Sequence, residues 1–415
     1  MGKLKILYFH QHFSTPAGKT GTRSYEMAKA ARRKGHEVLV VCGSFDASST
    51  GLEGEFEKGF RRGLVDGIEV MEFHMPYSND QSLFVRTLIF LKFSLSATMV
   101  ALKERYDLVF CTSTPLTIAL PGIFSKWIRR KPFVFEVRDL WPELPKAMKV
   151  ITNPLVLGLM SALEFVAYRS ADACIALAPG IADGIQRKGG QKGDIHLIPN
   201  GCDLKLFNSS IGDRWRPKEL EGKGFIAIFT GAHGVANGLD AVLDTGVELK
   251  RRNRMDITLA FIGQGKLKPA LMERAKREGL QNCIFLDPVP KEKLARLMNE
   301  VDLGLMILAN VPAFYRGTSP NKFFDYIASG LPVLNNYSGW LADLISENDC
   351  GFVVEPDNPI MFADALERIA DHRTILKAKG ENARALAKRD FDRNLLSDEW
   401  IAVLENVNSL IKKSC

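Results

Sequence analysis

Residues 315–334 read YRGTSPNKFFDYIASGLPVL. Ser319 is a good N-cap, and Pro320 suits the first helical position, where no backbone N–H is needed. Gly330 fits the left-handed position that ends a helix, and Pro332 follows it. The stretch predicts a short helix over 320–329 running into a strand over 332–336. The helix start presents backbone N–H groups and the positive end of its dipole, with Lys322 and Arg316 nearby in sequence. Such a start suits an anion. Asp325 stands three residues after Lys322, a spacing that lets both side chains share one face. An ordinary helix–strand unit with a surface ion pair would carry the same pattern.

Working outward, the same alternation continues in both directions. Apolar runs at 225–231, 257–263, 283–287, 303–308, 332–336 and 351–356 are separated by amphipathic stretches at 238–251, 266–278, 291–299 and 320–329. The first half repeats it, with strand-like runs at 5–10, 37–43, 68–74, 108–113, 133–137, 173–178 and 195–200 and a helical stretch at 22–35. Strands alternating with helices predict parallel sheets covered on both faces, an α/β class. Residues 201–223 are polar and irregular and read as a linker. The expected domains are 1–203 and 204–393, and the last helical stretch, 394–413, either continues the second or crosses back to the first. Both domains are Rossmann-like. In such sheets ligands lie beyond the carboxyl ends of the strands, so two facing domains would form a cleft.

With 415 residues the chain exceeds one typical core. Its net charge of +7 is uneven: residues 1–199 hold 26 Lys and Arg against 19 Asp and Glu, whereas 200–415 hold 29 of each. A basic half suits an anionic partner such as a lipid phosphate or an anionic membrane surface; solubility alone would also account for it. The run SLFVRTLIFLKFSLSATMVALK (82–103) is interrupted by Arg86 and Lys92. It reads either as a buried helix or as one lying in a lipid headgroup layer, rather than as a span. KWIRRK (126–131) places four positive charges beside a tryptophan, which suits an anionic membrane surface. The start of the chain has no secretory signal pattern. The seven cysteines stand singly, without zinc spacing, which suggests a reducing compartment and no structural metal.

Gly18 and Gly21, in PAGKTGTRSYE (16–26), follow the first strand and allow close backbone approach to an anion. GAHGVANGLD (231–240), with Asn237, stands in the same place in the second half, and its His233 reads either as a phosphate partner, neutral or charged, or as a turn histidine; Gly265, in GQG (263–265), follows another strand and is a further phosphate-binding candidate. The dinucleotide fingerprint and the P-loop pattern are both absent, which disfavours a nicotinamide or flavin cofactor and a P-loop NTPase. FEVRDLWPELP (135–145) places Glu136, Arg138 and Asp139 at a strand end, where a cleft or a solvated loop would each hold them. DFD (390–392) precedes the last helix and reads as a cap rather than a metal site. Without metal spacing or a nucleophile triad, the chemistry expected is positioning and charge stabilisation of a leaving phosphate.

Taken together with NGCD (200–203), FIGQG (261–265) and FFDYIASGLPVL (323–334), these residues make the chain resemble the GT-B-fold retaining glycosyltransferases of family 4. EVRDLWP, GAHGVANGLD and GTSPNKFFDY resemble, within that family, the L-fucosamine transferases of bacterial polysaccharide assembly. The resemblance implies a UDP-sugar donor held by the C-terminal domain and a lipid-linked saccharide acceptor held by the N-terminal one. It implies a last helix, 394–415, that crosses back to the first domain, retention without a metal or other cofactor, no nucleic-acid partner, and a cytoplasmic protein peripheral on the inner membrane face. Asp325 would bond the ribose hydroxyls. The family's first motif glutamate falls at Gly317, leaving sugar contacts to Thr318 and Ser319. Its diphosphate-binding Arg and Lys are replaced around His233 and Asn237, so Lys322 and Arg316 would supply the charge. The family's histidine falls at Arg138, leaving acceptor activation to Asp139 or Glu136, and Asn200 matches a cleft asparagine. A UDP-sugar 2-epimerase and a non-catalytic nucleotide-sugar-binding scaffold are the competing expectations.

Overall fold

The computed structural model describes residues 2–18, 20–46, 48–78, 81–207 and 214–414. The expected linker's residues 208–213 lie outside them. The chain divides into two compact units: Met1–Pro199 with Gly317–Ser319 and Asn394–Cys415, and Asn200–Arg316 with Pro320–Arg393.

The first unit is built on strands β1 (Lys5–Phe9), β2 (Glu37–Phe45), β3 (Phe60–Val65), β4 (Ile68–Tyr77), β5 (Leu108–Thr112), β6 (Phe133–Val137), β7 (Ala173–Ala176) and β8 (Ile195–Leu197). They form one sheet in the order β3-β4-β2-β1-β5-β6-β7-β8. All neighbours are parallel except β3 and β4. The sequence reading lacked β3. Its signal was present as Asp66-Gly67, whose φ values of 50° and 78° make the two-residue hairpin turn that favours Asp-Gly. The helices are α1 (Arg23–Arg33), α2 (Leu83–Lys103), α3 (Ala119–Arg129), α4 (Glu143–Ala147), α5 (Pro154–Ser170) and α6 (Pro179–Arg187).

Side chains alternate across a strand, so each strand feeds two layers. Ile6, Tyr8, Leu108 and Phe110 pack with residues of α1 and of the last helix, α15 (Arg393–Ser414, numbered after the helices of the second unit). Trp400 of α15 is fully buried there, 5.0 Å from Phe110 and 5.9 Å from Tyr8 between ring centroids. The expected crossing of the last helix back to the first unit is therefore how this face of the sheet is covered. On the opposite face, Phe73 meets Phe93 of α2 and Phe135 meets Tyr168 of α5, at 6.3 and 6.1 Å. Gly122 lets α3 lie against Phe133, whose ring would be 2.1 Å from any Cβ at that position.

The second unit has β9 (Phe225–Thr230), β10 (Ile257–Ile262), β11 (Cys283–Leu286), β12 (Leu303–Met306), β13 (Val333–Asn335) and β14 (Gly351–Val353). All pairs are parallel, in the order β11-β10-β9-β12-β13-β14. This is the doubly wound order, and it reverses direction between β9 and β12. Helices α7 (Asp240–Arg251), α8 (Lys268–Arg277), α9 (Lys291–Met298), α10 (Pro312–Tyr315), α11 (Asn321–Ser329), α12 (Trp340–Glu347), α13 (Pro359–Asp371) and α14 (Thr374–Asp390) connect and flank the strands. Every residue of β9 and β10 is buried, which explains why these runs are continuously apolar rather than alternating.

Candidate functional site

At the carboxyl ends of β9, β10 and β12 three loops are joined through their backbones. Gly231 N–H donates to Ile262 O at 2.9 Å, His233 N–H to Gln264 O at 2.9 Å, and Ala309 N–H to Ala236 O at 3.0 Å. Glycine is demanded by this contact. A Cβ on Gly263 would lie 1.8 Å from Gly231 O, and one on Gly265 would lie 2.6 Å from His233 O. Gly265 was expected to approach an anion; its left-handed φ of 158° instead brings its loop onto the neighbouring loop.

Helix α11 aims its first turn at this rim. Its cap is Pro320 in extended conformation rather than Ser319, and Gly330 at φ 71° ends it as expected. Tyr326 fixes its position, because its hydroxyl accepts from Thr230 N–H at 2.9 Å and lies 3.2 Å from Ile228 O. Lys322 is thereby held beside Gly231, with Nζ 4.0 Å from the Phe229 ring centroid and donating to Asn237 Oδ1 at 2.8 Å. Among the described residues, no carboxylate pairs with Lys322. Burial pushes its pKa down to about 7. The result is a partly buried cation held by one neutral oxygen and an aromatic face, at the switch point of the sheet.

Other expected donor residues take different places. His233 is fully buried among Phe229, Phe261 and Phe285. Burial, then Lys268 and Lys322, hold its pKa down at about 4. A neutral ring with no exposed surface is a packing element of the loop, which corrects its reading as a phosphate partner. Asp325 does not pair with Lys322 and has a partner of its own. The residue is buried, and its carboxylate pairs with Nζ of Lys291, at the start of α9, at 3.2 Å. Burial raises its pKa, opposed by Lys291 and Arg393. Arg316 is exposed after α10. Thr318 and Ser319 group with the first unit. Lys291 and Tyr326 were absent from the sequence reading, since neither carries a local signal of its partner.

The first unit holds a polar cluster at the ends of β1, β5 and β6. Arg23, at the start of α1, donates to Glu136 Oε2 at 2.8 and 3.0 Å and to the carbonyls of Ile198 and Pro199 at 2.9 and 2.6 Å. The other Glu136 oxygen accepts from Thr112 at 2.7 Å and from Arg138 at 3.3 Å. Glu136 is fully buried, and the two arginines outweigh burial and hold its pKa below the usual value. A carboxylate with no exposed surface and both oxygens occupied is an anchor, which corrects its place among the expected catalytic groups. Arg138 also binds Thr112 at 2.7 Å and Ser24 at 2.9 Å. Asp139 remains at the edge, bonded to Thr114 at 3.1 Å, with burial raising its pKa.

His10 and His12 follow β1; burial and then Arg138 depress both pKa values, that of His12 to about 4. The reading missed them and Arg23, although HQHF (10–13) directly follows the first strand. Gly18 is required by packing, since a Cβ there would lie 2.1 Å from Ser14 Oγ. Gly21 is exposed, and Asn200, the first residue of the second unit, is buried. Among the described residues no group of three or more His, Cys, Asp and Glu is arranged to hold a metal ion.

Comparison with known proteins agrees with this division. Residues 20–201 match a glycosyl transferase 4-like domain, and residues 224–372 match glycosyl transferases group 1. D-inositol 3-phosphate glycosyltransferase of Nocardia farcinica is 28% identical over 214 residues, covering 49% of this chain and 46% of that protein. Alpha-D-kanosaminyltransferase of Streptomyces kanamyceticus is 21% identical over 182 residues, covering 44% of this chain and 46% of the relative. The chain thus matches about half the length of these curated relatives. Among solved structures, sucrose-phosphate synthase of Thermosynechococcus elongatus superposes with a TM-score of 0.76 at 15% identity, covering 98% of this chain and 100% of that one. Anabaena HepE in complex with UDP and glucose gives 0.69 at 19% identity, covering 97% and 99%. These likenesses carry the fold, and the two domain matches carry the family: the chain belongs to the GT-B glycosyltransferases, with a 4-like domain followed by a group 1 domain.

Proposed function

We propose that this chain transfers a sugar, with retention, from a UDP-sugar to a polyprenyl-diphosphate-linked saccharide during surface polysaccharide assembly on the cytoplasmic side of a membrane. The observation that carries the donor half is Lys322, a cation without a carboxylate partner among the described residues, at the switch point of the group 1 domain. A lone, partly desolvated ammonium is costly unless an anion completes it. The nucleotide diphosphate is that anion, and the solved complex of HepE with UDP and glucose supports the choice. Lys322 and the first N–H groups of α11 then stabilise the charge that develops on the leaving diphosphate. Asp325, steadied by Lys291, accepts from the ribose hydroxyls.

In this reading Asp139, whose proton affinity is raised by burial, serves the acceptor hydroxyl. N-acetyl-L-fucosamine is the donor sugar we favour, on the resemblance of EVRDLWP and GTSPNKFFDY. The reaction needs no metal ion or other cofactor.

The test is thermal unfolding with UDP, GDP, ADP and dTDP, with and without EDTA, followed by assay of UDP-sugars against lipid-linked acceptors. A nucleotide at 100 times its dissociation constant stabilises by about 2.7 kcal/mol. A UDP-selective shift that survives EDTA is expected. A GDP- or ADP-selective shift overturns the donor, and sugar isomerisation without acceptor would make the chain an epimerase. Binding without any turnover would make it a scaffold.

A further inference from the structure

The face of the first sheet opposite α15 is covered by α2, α3 and α5, and α3 packs against both of the others. These helices are unusual on their outer side. Helix α2 is long and apolar enough to cross a membrane, with a mean hydropathy of 1.6. Yet Phe93, Ala97 and Ala101 fasten it to the unit. Only one side is used in this way, which corrects the reading of a buried helix. Phe84, Leu88, Leu91, Leu95 and Met99 recur at intervals of three and four residues and form an exposed stripe. The neighbours continue it: Trp127 and Ile128 of α3 are 67% and 59% exposed, and Leu155 and Leu159 of α5 are 71% and 65% exposed. An exposed apolar surface spread over three adjacent helices marks a docking face.

Its charges indicate what docks. Neither α2 nor α3 contains an acidic residue, and the single carboxylate of α5, Glu164, is 2% exposed. Exposed Lys92 lies beside the α2 stripe, and exposed Arg130 closes α3. An apolar centre with basic neighbours and no exposed carboxylate complements lipid tails beneath anionic headgroups. A second copy of the same face would bring like charges together.

We propose that the outer sides of α2, α3 and α5 together form a surface that enters one leaflet of an anionic membrane, with Trp127 at headgroup depth. This deepens the lipid-linked-acceptor reading above, on which it rests for its biological sense. Seated this way, the first unit would work where a polyprenyl-linked substrate is confined. Shallow entry also accounts for a 21-residue helix of spanning hydropathy that keeps one side packed on a sheet.

The experiment is flotation of the full chain with phosphatidylglycerol-rich and with pure phosphatidylcholine vesicles, at low and high salt, while following tryptophan emission. Flotation with the anionic vesicles, weakened by salt, and a blue shift that Trp127→Phe abolishes are expected. The triple variant Leu88→Ser/Trp127→Ser/Leu159→Ser should lose at least about tenfold in vesicle partition, because each change removes apolar surface from the lipid contact. Its response to UDP should stay unchanged, since all three residues lie outside the donor unit, and its melting temperature should fall only slightly, by the loss of the Trp127 Nε1–Ser170 hydrogen bond at 2.9 Å. No flotation, equal flotation of the triple variant, or a blue shift that survives Trp127→Phe overturns the proposal. So does a dimer, seen by light scattering, that the triple variant dissolves. Vesicle binding and the UDP response are separate readouts, so either can fail while the other stands.

Discussion

Arg23 and Lys322 each stand near the end of a central strand whose neighbours are parallel, one in each unit, and the contrast between them is informative. Arg23 is matched by the buried carboxylate of Glu136 and by two carbonyls. Lys322 has an amide oxygen and a phenylalanine ring. A buried cation whose charge is answered within the protein holds that protein together. One whose charge is left over is available to a ligand. Charged residues at corresponding places in two similar sheets thus differ in their partners, and on the function proposed above that difference, not the residue type, sets Lys322 apart.

The sharpest way to break this comparison is Arg23→Ala. It leaves Glu136 buried without its main partner and should cost about 3–5 kcal/mol in urea-induced unfolding. A loss below about 1 kcal/mol would show that the cluster is not an anchor. Lys322→Ala should do the reverse, with little loss of stability and a drop in UDP affinity of about 1.5–3 kcal/mol by calorimetry. Uridine binding should hardly change, and equal losses for uridine and UDP would remove the phosphate role.

The pH dependence sharpens the same point. Lys322 has a folded pKa of about 7, below its unfolded value, so the free protein regains stability as the pH rises from about 7 towards the ordinary lysine range. Diphosphate binding favours the charged form and takes up a proton there. UDP affinity should therefore fall by up to about tenfold per pH unit above pH 7, a dependence that Lys322→Met should lack. The smallest effect belongs to Asn237→Ala, which removes one neutral hydrogen bond. UDP affinity should move by no more than about 1 kcal/mol. A larger loss would mean that Asn237 itself touches the ligand.

Much of the framework was legible in the chain. The continuous apolar runs over 225–230 and 257–262 gave the buried parallel strands, and Gly330 gave the end of α11. The hairpin at Asp66-Gly67 was legible too, but the basic run before it obscured β3. The site was less so. The helix start that carries Lys322 was legible because it is a local pattern with its own electrostatics. His233 was misread because a histidine in a glycine-rich turn looks the same in sequence whether it faces solvent or three phenylalanines.

By itself, then, the sequence determined two α/β sheets in series, the helix start that carries Lys322, and a helix at the end of the chain. These follow from periodicity and caps, which act over a few residues. The tertiary structure alone decided that the last helix crosses back to the first unit, that Glu136 is an anchor, that Lys322 and Asp325 have different partners, that the glycines of 231–265 join loop to loop, and that α2 leaves one side uncovered. Each depends on partners tens to more than a hundred positions away, and long-range pairing is what one-dimensional spacing does not encode.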